Sequence, residues 1–176
     1  MKPVLMIHEL HGKHFDLPLE NYILTFDDGL ASQYAYIKEL EKINTTKIFF
    51  ISSEIVCPED GYQDTLCISC VDSHNSAFAG HFHNYMKWSQ IQHINETPNC
   101  IVGCHSHSHI YNIVSDTRTM IRDTREMSRV FKHKLGHLPK HFCFPYNIES
   151  QTYRCILHSY GFRYFYGSER INIDDL

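Results

Sequence analysis

The chain has 176 residues, 43% of them hydrophobic and 20% charged, with a formal charge of −4. That is enough for one domain with a complete core, and without a basic run it excludes the electrostatic footprint of a nucleic-acid binder. No apolar stretch approaches the roughly 20 residues of a membrane span, and an odd number of cysteines, seven, argues against a fully paired disulfide framework.

The N-terminal stretch MKPVLMIHELHG has one lysine and a short apolar run, too brief for a signal peptide, so a cytoplasmic location is expected. Val4–Ile7 reads as the first strand. Tyr22–Phe26, Ile48–Ile51, Ile101–Gly103, Phe142–Phe144 and Phe162–Tyr166 read as further strands. Most are continuously apolar, as expected for strands covered on both faces. Helices are expected between them, over 31–43, 88–94, 117–135 and 150–160. The third is the clearest: Met120, Thr124, Met127, Phe131 and Leu135 form one stripe. Gly136 and Pro139 follow it as stop signals. In the last helix Ser150 is a candidate N-cap and Gly161 a candidate C′ residue. This alternation predicts an α/β fold with a mainly parallel sheet, open or closed, in residues 1–176 as a single domain. The stretch 57–85 has little periodicity and is expected to be a loop insertion.

In such folds the chemistry sits at the C-terminal ends of strands. Two clusters fall there. Asp27 and Asp28 end the second strand, before the turn residue Gly29; a solvated turn is the alternative to a catalytic pair. After the strand at 101–103 comes CHSHSHIYN, with His105, His107 and His109. Histidines at i and i+4 share one face of a helical turn, so His105 and His109 could grip one cation while His107 points elsewhere. Two imidazoles and a carboxylate such as Asp28 leave a coordination position for water. Asp27 could then remove that water's proton. An exposed polar loop is the alternative for the histidines.

At this point the chain resembles the polysaccharide deacetylases, the NodB-homology family of carbohydrate esterases. TFDDG, Thr25 to Gly29, matches the family's first motif, and HSHSH, His105 to His109, its second. CFPY, Cys143 to Tyr146, stands where the third usually reads Arg-x-Pro-Tyr. The segments VLMIHELHG, TKIFFIS, YMKWSQIQHI and YGFRYFYGS also look like the family's, so the resemblance covers nearly the whole chain. It implies a distorted or incomplete (β/α) barrel and metal-dependent removal of an N-acetyl group from an acetamido sugar or glycan precursor. By motif, Asp27 would be the general base, and Asp28, His105 and His109 the ligands of one divalent metal, zinc before cobalt or nickel. Pro145 and Tyr146 would line the acetyl pocket, with the Tyr146 backbone N–H holding the oxyanion.

Three departures qualify this picture. Cys143 replaces the arginine that pairs with the catalytic aspartate, so Asp27 is expected to lack a fixed positive partner. Asn147 replaces a glycine. The late Leu-x-His motif that carries the general acid is absent, and His158, in Ile156-Leu157-His158, falls inside a predicted helix. Another histidine would have to serve, or the chain would be a catalytically impaired, metal-retaining carbohydrate-binding member of the fold. Among lesser candidates, Trp88 could be a sugar platform or a core residue. His81 and His83 could reach the substrate groove. Cys57, Cys67, Cys70 and His74 could hold a second metal, with free thiols the alternative. Cys104 is expected to be a packed thiol.

Overall fold

Short, continuously apolar runs become the strands of one parallel sheet. The computed structural model describes residues 2–176. β1 (Val4–Ile7), β2 (Ile23–Phe26), β3 (Lys47–Ile51), β4 (Cys100–Cys104), β5 (His141–Cys143), β6 (Tyr164–Tyr166) and β7 (Ile171–Asn172) form it, in the order β6-β5-β4-β3-β2-β1-β7. All pairings are parallel, with Leu5 opposite Leu24, Thr25 opposite Ile48, and Ile48 opposite Ile101. The sheet curls into a half-barrel with helices packed on it, and β6 and β7 remain as edges. The α/β class and the incomplete-barrel architecture are therefore as expected. β7 is an addition: two residues are too short for any periodicity to reveal.

The central strands β2, β3 and β4 are covered on both faces, which is why they do not alternate. β3 is buried at all five positions. Phe26 and Phe49 stack across β2 and β3 with ring centroids 4.6 Å apart. Burying each such side chain contributes about 1.5–3 kcal/mol, the main source of the sheet's stability. Helix α5 (Thr117–Leu135) runs over the expected residues, and its stripe Met120, Thr124, Met127 and Phe131 is buried. It ends where Gly136 takes φ 77°, a conformation that favours glycine. Helix α6 (Gln151–Tyr160) starts as expected, with the Ser150 hydroxyl accepting the Tyr153 N–H at 3.1 Å, and stops at Gly161, φ 111°.

Three helices depart from expectation. The helix expected over 31–43 is two pieces, α1 (Ala31–Ala35) and α2 (Ile37–Glu41), because Tyr36 sits at φ −98°, ψ 16°. Helix α4 (Trp88–Glu96) is two residues longer than expected. The stretch 57–85 contains α3 (Cys70–Phe78), capped by Ser69, whose hydroxyl accepts the Asp72 N–H at 3.1 Å. Only Ser73 and Ala77 of that helix are buried, so it carries no apolar stripe to find.

Candidate active site

β2 ends in two successive left-handed residues, Asp28 (φ 73°) and Gly29 (φ 75°). The φ of Gly29 favours glycine, and a Cβ there would also press on Ile51 Cδ1 at 2.8 Å. The turn leaves both aspartates buried below the C-terminal rim of the sheet. Seven non-glycine residues have positive φ among those described; five of them, Asp28, Ser106, His109, Tyr146 and Asn147, belong to this site. Left-handed backbone at non-glycine residues costs about 1–3 kcal/mol each, and its concentration here marks the rim as the place where geometry outranks local preference.

The histidine motif is not a helical turn. His105 follows β4 directly, and the chain then reverses through Ser106 (φ 65°) and His109 (φ 51°). The Ser106 hydroxyl accepts the His109 N–H at 2.9 Å. Asp123 of α5, buried, accepts the backbone N–H of His107 at 2.8 Å and of Ser108 at 3.1 Å, which anchors the loop. The two imidazoles thus meet by a turn, not by helical spacing. His107 points away, its Nδ1 2.8 Å from the Ser53 hydroxyl.

His105 Nε2 lies 3.3 Å and His109 Nε2 3.2 Å from one oxygen, Asp28 Oδ1. A third imidazole joins them: His74 Nε2, from α3, is 3.5 Å from the same oxygen. Burial alone would push the Asp28 carboxyl up, but the three imidazoles of His105, His109 and His74 gathered around it hold it well below its usual range. Burial lowers the His109 imidazole, against the opposing pull of Asp28. The donor set fits a divalent cation. The His105 Nδ1 lies 2.9 Å from the Cys143 carbonyl, which can only accept, so that nitrogen carries the proton. The neutral imidazole then turns its Nε2 lone pair towards a carboxylate oxygen, two acceptors face to face, which a cation between them satisfies. Donors at ~2.0–2.1 Å around one tetrahedral ion stand about 3.3 Å apart, the separation that His105 Nε2 and His109 Nε2 each keep from Asp28 Oδ1. Asp28 Oδ2, His74 Nε2 and His109 Nδ1 are also buried without hydrogen-bond partners.

Asp27 does have a fixed positive partner, contrary to expectation. Arg170, which precedes β7 and is almost fully buried, reaches across to it. Its Nη1 and Nη2 donate to Asp27 Oδ1 and Oδ2, each at 2.7 Å. The same guanidinium donates to Thr25 Oγ1 at 3.0 Å and Asn147 Oδ1 at 3.0 Å, and Nη2 is 3.1 Å from Cys143 Sγ. Cys143 thus occupies space beside a charge that arrives from another strand. Burial pushes Asp27 up; Arg170 outweighs it and the carboxyl lies below its ordinary value. Opposite Arg170, His8 follows β1, with Nε2 3.9 Å from Asp27 Oδ2. Reasoning from sequence ended the first strand at Ile7 and gave His8 no role. The signal was its position, one residue past a strand end, where Asp27 and His105 also sit.

These groups line one cavity of about 160 Å³, walled by His8, Asp27, Asp28, His74, His105, His109 and Tyr146, with Cys70 and Val71 of α3 above. Tyr146 is half-exposed, takes φ 56°, and its hydroxyl donates to the His109 carbonyl at 3.4 Å; Pro145 is buried beneath it. Trp88 is elsewhere: it is 8% exposed and packs edge-to-face on Phe131, so it is a core residue and not a sugar platform. His81 and His83 do not line the cavity. His158 is exposed on α6 beside Arg163. Cys57, Cys67, Cys70 and His74 do not gather, since the Cys57 thiol donates to the Tyr62 carbonyl at 3.4 Å while His74 turns to Asp28. Cys104 is a fully buried thiol, as expected. No helix among the described residues is long and apolar enough to cross a membrane.

Solved structures share this fold. IcaB from Ammonifex degensii superposes with a TM-score of 0.69 at 18% identity, over 97% of this chain and 84% of that one. A de-N-acetylase from Aggregatibacter actinomycetemcomitans gives 0.63 at 12% identity, over 95% and 76%. A mutant of BA3943 of Bacillus anthracis, described as a CE4 family pseudoenzyme with restored enzymatic activity, gives 0.56 at 14% identity, over 93% and 44%. No curated protein matches the chain by sequence. The polysaccharide deacetylase family model matches residues 17–165, and with that match spanning most of its length the chain belongs to the polysaccharide deacetylase family.

Proposed function

We propose that this protein is a divalent-metal-dependent hydrolase that removes the N-acetyl group from an acetamido sugar or glycan precursor. The observation that carries the reading is the convergence of Asp28, His105 and His109 on one point beside the Asp27–Arg170 pair, in one cavity. When bound, the cation polarises the acetyl carbonyl and acidifies a water. Nitrogen and oxygen donors of this kind suit zinc, with cobalt or nickel also accepted.

The chain's own residues supply the rest. Asp27, kept ionised by Arg170, takes the proton from the attacking water. The water oxygen bonds to the acetyl carbon as the C–N bond breaks. His8, across the cavity, gives a proton to the departing amine nitrogen. It fills the role left open by the missing late histidine motif, and acetate and a free amine result. The Tyr146 backbone N–H, held by the left-handed turn after β5, serves the developing oxyanion, a contribution of a few kcal/mol. Pro145 supports that turn from below.

The test is acetate release from a panel of N-acetylated sugars, with metal-stripped protein and protein reloaded with zinc, cobalt or nickel. Asp27→Asn should retain metal and lose turnover by about 10²–10⁴-fold, the range for a positioned acid or base. Undiminished acetate release by Asp27→Asn would remove the assigned base. A second reading, a metal-retaining but inactive carbohydrate-binding member, draws on Cys143 at the arginine position and on the existence of a pseudoenzyme with this fold. Metal retention with no turnover on any sugar favours it.

A further inference from the structure

We propose that His74 is a fourth protein ligand of the same cation, so that the resting centre is closed and the substrate carbonyl enters by displacing it. The inference rests on the cation site argued above, and concerns a residue from outside the two sequence motifs. Three observations carry it. His74 Nε2 stands 3.5 Å from Asp28 Oδ1, close to the separation of about 3.3 Å expected between neighbouring donors on a tetrahedral ion. That nitrogen is buried with no hydrogen-bond partner, and the ring lies against His109 with centroids 4.1 Å apart. The donor atoms of Asp28, His74 and His109 all lie within 4.8 Å of one another.

The alternative, an imidazole that merely packs over the site, leaves Nε2 desolvated and unpaired, which is unfavourable. Coordination removes that cost. Four protein donors close a tetrahedral site, whereas catalytic sites keep three and leave one position for water or substrate. The cavity, about 160 Å³, lies below the roughly 300 Å³ at which ligand pockets begin, and part of its wall is α3 itself.

The mounting of α3 suits a ligand that leaves. The helix packs on a small cluster of Leu30, Ile55, Ala77 and Tyr85, separate from the main core. Its Cys70 N–H donates to Glu9 Oε1 at 2.6 Å, a single tie to the loop after β1. Val71 and Phe78 flank His74 on the same face of α3 and are 62% and 58% exposed, so little packs over them. Withdrawal of this helix therefore spares the sheet and the other three donors.

The test compares wild type, His74→Ala and His74→Cys by chelator competition for zinc and by the visible spectrum of the cobalt-loaded proteins. His74→Ala should bind zinc at least about tenfold more weakly, and the strong d–d absorption of a four-coordinate cobalt site should fall. His74→Cys should restore affinity and add a sulfur-to-cobalt charge-transfer band in the near ultraviolet, which only a thiolate on the metal produces. Acetate should perturb the cobalt spectrum of His74→Ala at concentrations about tenfold below those needed for wild type, because no ligand has to leave first. Wild-type zinc affinity and an unchanged cobalt spectrum in His74→Ala would overturn the ligand assignment. Equal acetate affinity in the two proteins would overturn the displacement. Failure of the underlying site looks different: wild type itself then retains no metal, or His109→Ala binds it as tightly as wild type.

Discussion

Asp27 and Arg170 are the residue-scale hinge of this molecule. Each charge is buried, and each is compensated only by the other and by the hydrogen bonds around them. Removing one partner strands the other. Arg170→Met should therefore destabilise the fold by about 3–5 kcal/mol at neutral pH, read as a lower urea midpoint. The pH dependence has a defined sign. The folded Asp27 carboxyl lies below its ordinary value of 3.8, so the unfolded chain binds the proton more readily. The stabilisation is then fully present above 3.8 and is lost as pH falls through the lower folded value. Wild type and Arg170→Met should thus converge in stability under acid, and a gap that stays constant from pH 7 to pH 2 would refute the pairing's role. At the same scale, His8→Gln should lower turnover by about 10²–10⁴-fold while metal retention stays as in wild type. Lost metal in that variant would make His8 a structural group instead of a proton donor.

Among the elements, β3 and β4 are the most tightly matched pair, and their contact depends on Gly103. A Cβ there would stand 2.6 Å from two ring carbons of Phe50 and 3.3 Å from His141 Cβ. Phe50 is fully buried and cannot swing away. Gly103→Ala should cost about 1–3 kcal/mol, measurable by denaturant unfolding, with loss of the nearby His105 geometry as a second readout through weaker zinc binding. Element scale also shows what patterns reveal. α5 is legible because five apolar or small residues recur on one face. α3 lacks such a stripe, yet Ser69-Cys70-Val71-Asp72 is a capping-box spacing, and the Ser69 hydroxyl donates to Asp72 Oδ2 at 2.7 Å. That signal was present in the sequence, and the absence of periodicity around it hid the helix.

For the molecule as a whole, the parallel sheet is a device for gathering strand ends. His8 follows β1, Asp27 β2, His105 β4, and the Pro145–Tyr146 turn follows β5, so residues far apart in the chain share one rim. A cation held there ties β2, β4 and α3 together and binds only the folded chain. At a hundredfold excess over its dissociation constant it should add about 2.7 kcal/mol of stability. For a chain of this length that is roughly 5–10 °C in Tm. Stripping metal from wild type should remove this increment, and Asp28→Ala should show none; equal metal-dependent shifts in both proteins would place the ion elsewhere.

Read alone, the sequence determined the class of the fold, the parallel sheet, the long helix and the two motifs at strand ends, because each depends on local periodicity or on residues adjacent in the chain. It also identified Asp27, Asp28, His105 and His109 as the groups to watch, although it assigned the histidines to a helical turn that the left-handed backbone at Ser106 and His109 replaces. Only the tertiary structure brought Arg170 to Asp27 across 143 positions, set His8 opposite it, and swung His74 over Asp28. For Arg170 and His74 the neighbours in sequence say nothing of where the side chain ends, and for His8 they give only its place just past a strand. Their placement follows from the curl of the sheet and the packing of α3, both of which exist only once the distant strands have paired.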